Sequence, residues 1–277
     1  MIRLIVDTSC SIKANELSEY RIDGLIPLKI LLNGKEYTDD TIDIDSYWKE
    51  FLASSEFPKT SLPNLVEAEE KVLSYTDNGD DVIVMTISSF LSGENNALHM
   101  LFDENPHVRI IDSLGCVGML RILISDVINK YRDSLTIDEV VKKVTDFIPR
   151  LKVAAVPETL EYLYKGGRLS KLEYIAGSIL SIKPILNIEN GKIKSFAKKI
   201  GLRKAKRYLL ELITEEADLN YPIVPSYSYN DENLVDIINQ ASDEIKSKLT
   251  VEDNLIPSIA SHWGPNCFGF IYVVKEK

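Results

Sequence analysis

Three short polar stretches hold the residue types that could do chemistry. The first is "SSFLSGENN", residues 88–96, where Ser88, Ser89, Ser92 and Gly93 separate the apolar run "DVIVMTI" from the helix-like "NNALHMLF". A strand that ends in serines and glycine and leads into a helix leaves backbone N–H groups free. With the positive end of the helix dipole and a hydroxyl, these favour an anion. The same serine could be a hydrolase nucleophile, but "FLSGE" lacks the first glycine of a Gly-x-Ser-x-Gly elbow, and His99 falls on the following helix. Plain capping of the helix by Ser92 is the third reading. The second stretch is "PKTSLPN", residues 58–64, in which Thr60 and Ser61 precede Pro63, Asn64 and the helical "LVEAEEKVLSY". It repeats the design of hydroxyls at a helix mouth. The third is "SHWGPNCFG", residues 261–269, where His262 stands before a Gly-Pro turn expected to join two closing strands. A histidine there can donate to a carboxylate in either charge state or serve only as a structural hydrogen-bonder. In "YKGGRLSK", Gly166 and Gly167 stop a helix and Arg168 opens a loop, as a surface arginine or an anion partner. Asp7 and Asp112 end strand-like runs, where α/β enzymes keep carboxylates and where aspartate also caps loops; they stay outside the candidate site.

The elements that must position these residues fall into two kinds. Up to about residue 150, the apolar runs "IRLIV", "LIPLKILL", "DVIVMTI" and "HVRIID" alternate with amphipathic stretches such as "SYWKEFLA" and "CVGMLRILISDVINKYR". Strands without polar alternation imply a sheet buried on both faces, hence parallel and covered by helices. "NGKEY" adds a hairpin turn, and Thr136 with Glu139 has capping-box spacing. Beyond residue 150 come a strand "LKVAAV", a short helix "ETLEYLYK", and a capping box Ser170–Glu173 opening a helix through "YIAGSIL". A hairpin about Asn190-Gly191, a helix "LRKAKRYLLELITEEA", a strand "YPIVPSY", a long helix over 232–248 and two closing strands follow. The expected fold class is α/β in two domains. Residues 1–150 form an N-terminal parallel-sheet α/β domain, and residues 151–277 a C-terminal α+β domain with an antiparallel sheet.

The bulk chemistry narrows the function classes. The chain has 277 residues and a net charge of 32 minus 42, or −10, with a pI near 5.0. An acidic surface is a poor partner for nucleic acid phosphates. No apolar run approaches the roughly 18 residues of a membrane span, and the N-terminus lacks the pattern of a secretory signal. Cys10, Cys116 and Cys267 are scattered, as are His99, His107 and His262, so the expectation is a cytoplasmic protein with free thiols and no metal site. No motif calls for ATP or another cofactor. From Lys192 to Arg207 there are eight basic residues and no acidic one. A solvated face is the simplest reading; a dock for an acidic protein, or transient contact with anionic lipid, are the others.

"DTSCS", "IPLKILLNGKEYTDD", "KTSLP", "SSFLSG", "IDSLG", "TLEYLYKGGRLSK", "IKPILNIENGKIK" and "HWGPNCFG" occur in the order and spacing of the DegV family of fatty-acid-binding proteins, which the chain resembles over nearly its whole length. The resemblance implies a two-domain carrier, not an enzyme. It would hold a long-chain fatty acid with the tail in an apolar tunnel and the carboxylate at a polar corner between domains. It also implies presentation of that carboxylate to a separate fatty acid kinase, whose acyl-phosphate product feeds phospholipid synthesis. Carried over by position, the head-group contacts are Thr60 with Ser61, Ser92 with Gly93, and His262, with Arg168 a possible head-group or interface residue. Three departures stand out. Leu62 replaces a usual glutamine, Glu94-Asn95 replaces Thr-Tyr after the Ser-Gly pair, and Ile200 stands where the family often carries an arginine thought to engage the kinase. Glu94 either points inward beside the anion corner or complements the helix dipole. The rival function is a serine hydrolase or acyl transferase, with Ser92 as nucleophile and His262 as base.

Overall fold

A computed structural model describes residues 1–171, 173–174 and 181–276, and the chain divides into two compact units, Met1–Pro149 and Arg150–Lys277. In the first unit the apolar runs become a parallel sheet. Strands β1 (Ile2–Asp7), β2 (Gly24–Ile26), β6 (Asp81–Thr86) and β7 (Val108–Asp112) lie in the order β2-β1-β6-β7. Leu4, Ile5 and Val6 of β1 and Val82 through Met85 of β6 are all fully buried. Burial of consecutive residues, whose side chains alternate between faces, requires cover on both sides of the sheet.

Part of that cover comes from α2 (Leu65–Thr76) and α3 (Glu94–Phe102), which bring Val72, Leu98 and Phe102 against Ile5, Val82 and Val84. Helix α1 (Ile44–Ala53) starts at Asp43, whose side chain accepts the Ser46 N–H. After β7 come α4 (Gly118–Ile122), a π-helical stretch (Leu123–Ile128) and α5 (Asn129–Tyr131), together the expected helix over "CVGMLRILISDVINKYR". Helix α6 (Ile137–Phe147) opens with the expected capping box, Thr136 and Glu139 bonding reciprocally.

"LIPLKILL", expected as one strand, is two. β2 ends before Pro27, which has no N–H to continue a ladder. The chain resumes as β3 (Lys29–Leu32) in a separate antiparallel sheet, ordered β4-β3-β5 with β4 (Lys35–Thr38) and β5 (Lys59–Ser61). The β3–β4 turn is the expected Asn-Gly hairpin, with φ of 51° at Asn33 and 74° at Gly34.

The second unit holds a six-stranded sheet ordered β10-β9-β8-β13-β11-β12, made of β8 (Leu151–Val156), β9 (Ile182–Glu189), β10 (Lys192–Ile200), β11 (Val224–Tyr227), β12 (Asp253–Asn254) and β13 (Phe268–Val273). Pairing is antiparallel except between β11 and β12. The short helix α7 (Glu161–Lys165) follows β8, and α8 (Leu202–Glu216) lays Leu209 and Ile213 on the core with Phe268 and Phe270.

Two expectations fail here. The helix predicted over 232–248 breaks into α9 (Glu232–Gln240) and α10 (Asp243–Lys246). Ala241 is extended, and the Ser242 hydroxyl accepts the Ile245 N–H at 3.3 Å, so a new N-cap starts mid-run. The second of the two closing strands is real, β13, but the segment before it is α11 (Pro257–Trp263), opened by proline at its first position and ended by Gly264 at φ 75°. The Ser170–Glu173 capping box is formed. The helix expected through "YIAGSIL" lies largely outside the described residues.

Candidate ligand-binding corners

The first corner is built where the parallel sheet diverges. The connection leaving β1 leads to β2 on one side, and that leaving β6 leads to β7 on the other. Loops that part in opposite directions open a crevice at the carboxyl ends of the strands, the usual place for a ligand in such sheets. The β6–α3 loop at this crevice is pinned from both neighbouring strands. Asp7, at the end of β1, accepts the Ser9 N–H at 2.7 Å and the Ile87 N–H at 2.5 Å. Asp112, at the end of β7, accepts Ser89 N–H at 3.2 Å and Leu114 N–H at 2.9 Å. The two aspartates set aside at the sequence level are thus the clamps of the "SSFLSG" loop.

Within that loop the Ser88 carbonyl takes the N–H groups of Leu91 and Ser92, and the Ser92 hydroxyl accepts the Glu94 N–H at 3.2 Å. Ser92 therefore covers the first N–H of α3, with Gly93 between them as the helix's N-cap residue. The remaining first-turn N–H groups have no carbonyl one turn behind them. Strain accumulates beside the loop. Val117, a β-branched residue, sits at φ 53° and ψ −125° and donates its N–H to Ser9 O at 2.7 Å. Such a conformation costs about 1–3 kcal/mol and clusters at functional sites.

Thr60 and Ser61 do not sit at a helix mouth. They belong to β5, paired with Ile30 and Lys29 of β3, because Pro63 delays the helix and Asn64 caps it instead, accepting Val66 N–H at 3.2 Å. The structure nevertheless brings their segment to the first corner. A Cβ placed on Gly93 would lie 3.6 Å from Leu62 Cδ2, an ordinary contact. Leu62 and Phe90 are exposed there, so apolar side chains flank the hydroxyls.

Glu94 and Asn95 both turn inward. Asn95 donates to Thr86 Oγ1 at 2.9 Å and ties α3 to the end of β6. Glu94 is 0% exposed and receives no protein donor on either oxygen. Its neighbour is Asp7, also 0% exposed. Burial, and then the Asp7 charge, push the Glu94 carboxyl well above the usual carboxylate range, and burial also raises Asp7. Both shifts favour a proton on the pair, and the larger rise is at Glu94. Of the two orientations open in the sequence, the inward one is observed. His99 points elsewhere, its Nδ1 2.6 Å from Asp103 at the exposed side of α3.

The second corner lies wholly in the other unit. His262 is on α11 and is buried with a pKa lowered to about 3, chiefly by loss of solvent and then by the Arg168 charge. It is a neutral imidazole at any ordinary pH. Arg168, half-buried and itself lowered by desolvation, donates to the carbonyl of Gly166. A methyl group on Gly166 would overlap His262 Nδ1, and one on Gly264 would overlap the Tyr162 ring. Of the two glycines read as a helix stop, Gly167 is the stop, at φ 74°, while Gly166 makes room for the histidine.

Three of the eight residues of the basic run are paired with carboxylates outside it. Lys194 pairs with Glu189, Lys206 with Asp236 and Arg207 with Glu211, and Lys199 lies over Tyr208. Ile200, 66% exposed, ends β10 beside exposed Phe196 and Leu202. Among the described residues no cluster of histidine, cysteine and carboxylate could hold a metal, no helix is long and apolar enough to cross a membrane, and the three cysteines are buried thiols.

A family model described as DegV, an uncharacterised protein family, matches residues 1–275. The chain belongs to the DegV family. A Thermotoga maritima relative named fatty acid-binding protein is 27% identical, over 100% of this chain and 99% of its own. A fatty acid binding DegV protein of Streptococcus agalactiae superposes with a TM-score of 0.88 at 27% identity, covering 100% and 99% of the two chains. A DegV lipid binding protein of T. maritima gives 0.81 at 25% identity, with the same coverage. These DegV relatives share the mixed α/β fold, with its parallel and antiparallel sheets.

Sequence reasoning missed the Asp7–Glu94 pair, the contact of Leu62 with Gly93, and the role of Gly166. Glu94 was detectable as a departure from the family's Ser-Gly-Thr-Tyr pattern, but its burial was not.

Proposed function

We propose that this chain is a carrier of a long-chain fatty acid and not an enzyme. Its full-length similarity to relatives named for fatty acid binding carries the reading. The chemistry of the corners supports it. Ser92 and Gly93 at the head of α3, with Thr60 and Ser61 nearby on β5, offer hydroxyl and N–H donors to a carboxylate. His262 offers a neutral N–H, and Arg168 a charge. The tail supplies most of the affinity, since burying each methylene is worth about 0.8 kcal/mol; the corners orient the head. Presentation of that head to a fatty acid kinase, in the cytoplasm, is the further part of the proposal. The exposed apolar Ile200 in place of arginine implies that any such kinase docks differently there.

Native mass spectrometry of the purified protein, followed by identification of the released molecule, tests the carrier reading. A one-to-one fatty acid adduct is expected. A bare protein that takes up no added fatty acid, or one that labels at Ser92 with a phosphonate and turns over acyl esters, would replace it with the hydrolase.

A further inference from the structure

The Asp7–Glu94 pair is more than the family pattern requires at this place. Asp7 clamps the β1 and β6 loops through Ser9 and Ile87, and Glu94, at the first position of α3 and two residues after Ser92, has Asp7 as its charged neighbour. Both carboxyls are fully buried, and no protein group donates to either oxygen of Glu94. The surrounding charges point elsewhere. Arg121, from α4, bonds the carbonyls of Cys10 and Ser11; Asp39 accepts the Thr8 hydroxyl; Asp112 holds Ser89 and Leu114. Asp7 is the one charged group acting on Glu94 among the described residues.

We propose that Glu94 is a positioning residue whose proton, shared with Asp7, must be present for an acid head group to settle at the Ser92 corner. The inference rests on the carrier reading above. With the proton in place, Glu94 donates to Asp7, and the start of α3 is tied to the clamp that holds both loops. The pair then carries a single negative charge. Without the proton, two buried like charges face each other, the tie between α3 and β1 is lost, and a second negative charge stands two residues from the hydroxyl that should receive a carboxylate. The raised affinity of both carboxyls for protons fits this arrangement. The lost proton goes to solvent, so the device reports the pH around the protein. The specificity that follows is for a head group that arrives as an acid while the pair is protonated.

The test compares wild type with Glu94→Gln, which keeps the shape and a donor but cannot ionise, and with Glu94→Thr as a second non-ionising variant. Oleate binding is measured by fluorescence displacement across pH 6 to 10, and the Glu94 carboxyl is followed by carbon-13 NMR in the unliganded protein. Taking the ratio of wild-type to variant dissociation constants cancels the ligand's own titration. That ratio is expected to rise with pH by up to ten-fold per unit once the NMR signal shows Glu94 losing its proton. A flat ratio for both variants, or a Glu94 signal already ionised at pH 6, overturns the inference while leaving the carrier intact. Failure of wild type and variants to bind oleate at any pH overturns the carrier reading and this inference with it.

Discussion

The two corners solve the problem of holding a polar group in opposite ways. The corner in the first unit is acidic, built on strand ends and a helix start, with two buried carboxyls at its base and, among the described residues, no cation acting on Glu94. The corner in the second unit is neutral to cationic, with an unprotonated His262 packed on Gly166 and a half-buried Arg168 nearby. One corner sets its hydroxyl and N–H donors beside two buried carboxyls; the other holds an imidazole that burial keeps from gaining a proton. The difference teaches that polar donors can be gathered at a strand end or on a helix without a cluster of positive charge.

The largest expected contrast is in stability against pH. His262 titrates near 6.5 in the unfolded chain and at about 3 when folded, so stability is whole above pH 6.5 and declines as pH falls from there toward 3. Glu94 has the opposite sign: its folded value is raised, so stability is whole below the unfolded value of 4.5 and declines as pH rises toward the folded value. Each limb can reach about 1.4 kcal/mol per pH unit. Urea denaturation across pH should show His262→Phe flattening the acid limb and Glu94→Gln the alkaline limb; a swap of those effects would break the comparison.

A smaller effect is expected at the glycines. Gly166→Ala forces His262 or α7 to move, an overpacking cost of about 1–3 kcal/mol. Gly167→Ala meets no neighbour and pays only for its left-handed backbone, about 1–2 kcal/mol. Thermal melts measure both losses, and only Gly166→Ala should also disturb the His262 ring resonances. The smallest change is Ser92→Ala, which removes a hydrogen bond worth about 0.5–1.5 kcal/mol net. Calorimetric titration with oleate should register it as weaker binding, alongside a small fall in melting temperature from the lost cap on the Glu94 N–H.

Much of this was legible in the residues. The unbroken apolar runs gave away the parallel sheet, and the two Asn-Gly pairs gave away the hairpins, because both signals are local. Failures came where one residue overrode a pattern. Pro27 split a strand that hydropathy joined, Ser242 restarted a helix that periodicity continued, and Pro257 opened a helix where a strand was expected. At the site, Ser92 and His262 were visible as types. The approach of Glu94 to Asp7 spans 87 positions and depends on strand β6 lying beside β1, which no local signal encodes. The role of Gly166 was hidden for the same reason, since His262 reaches it from a helix 96 residues on.

The central proposal is a fatty acid carrier whose ligand meets the Ser92 corner with its carboxylate. Calorimetric titration of wild type and Ser92→Ala with oleate and with its methyl ester tests it most directly. The account predicts that wild type prefers oleate over the ester and that Ser92→Ala narrows that preference. Absence of oleate binding, or a preference that Ser92→Ala leaves unchanged, would contradict it.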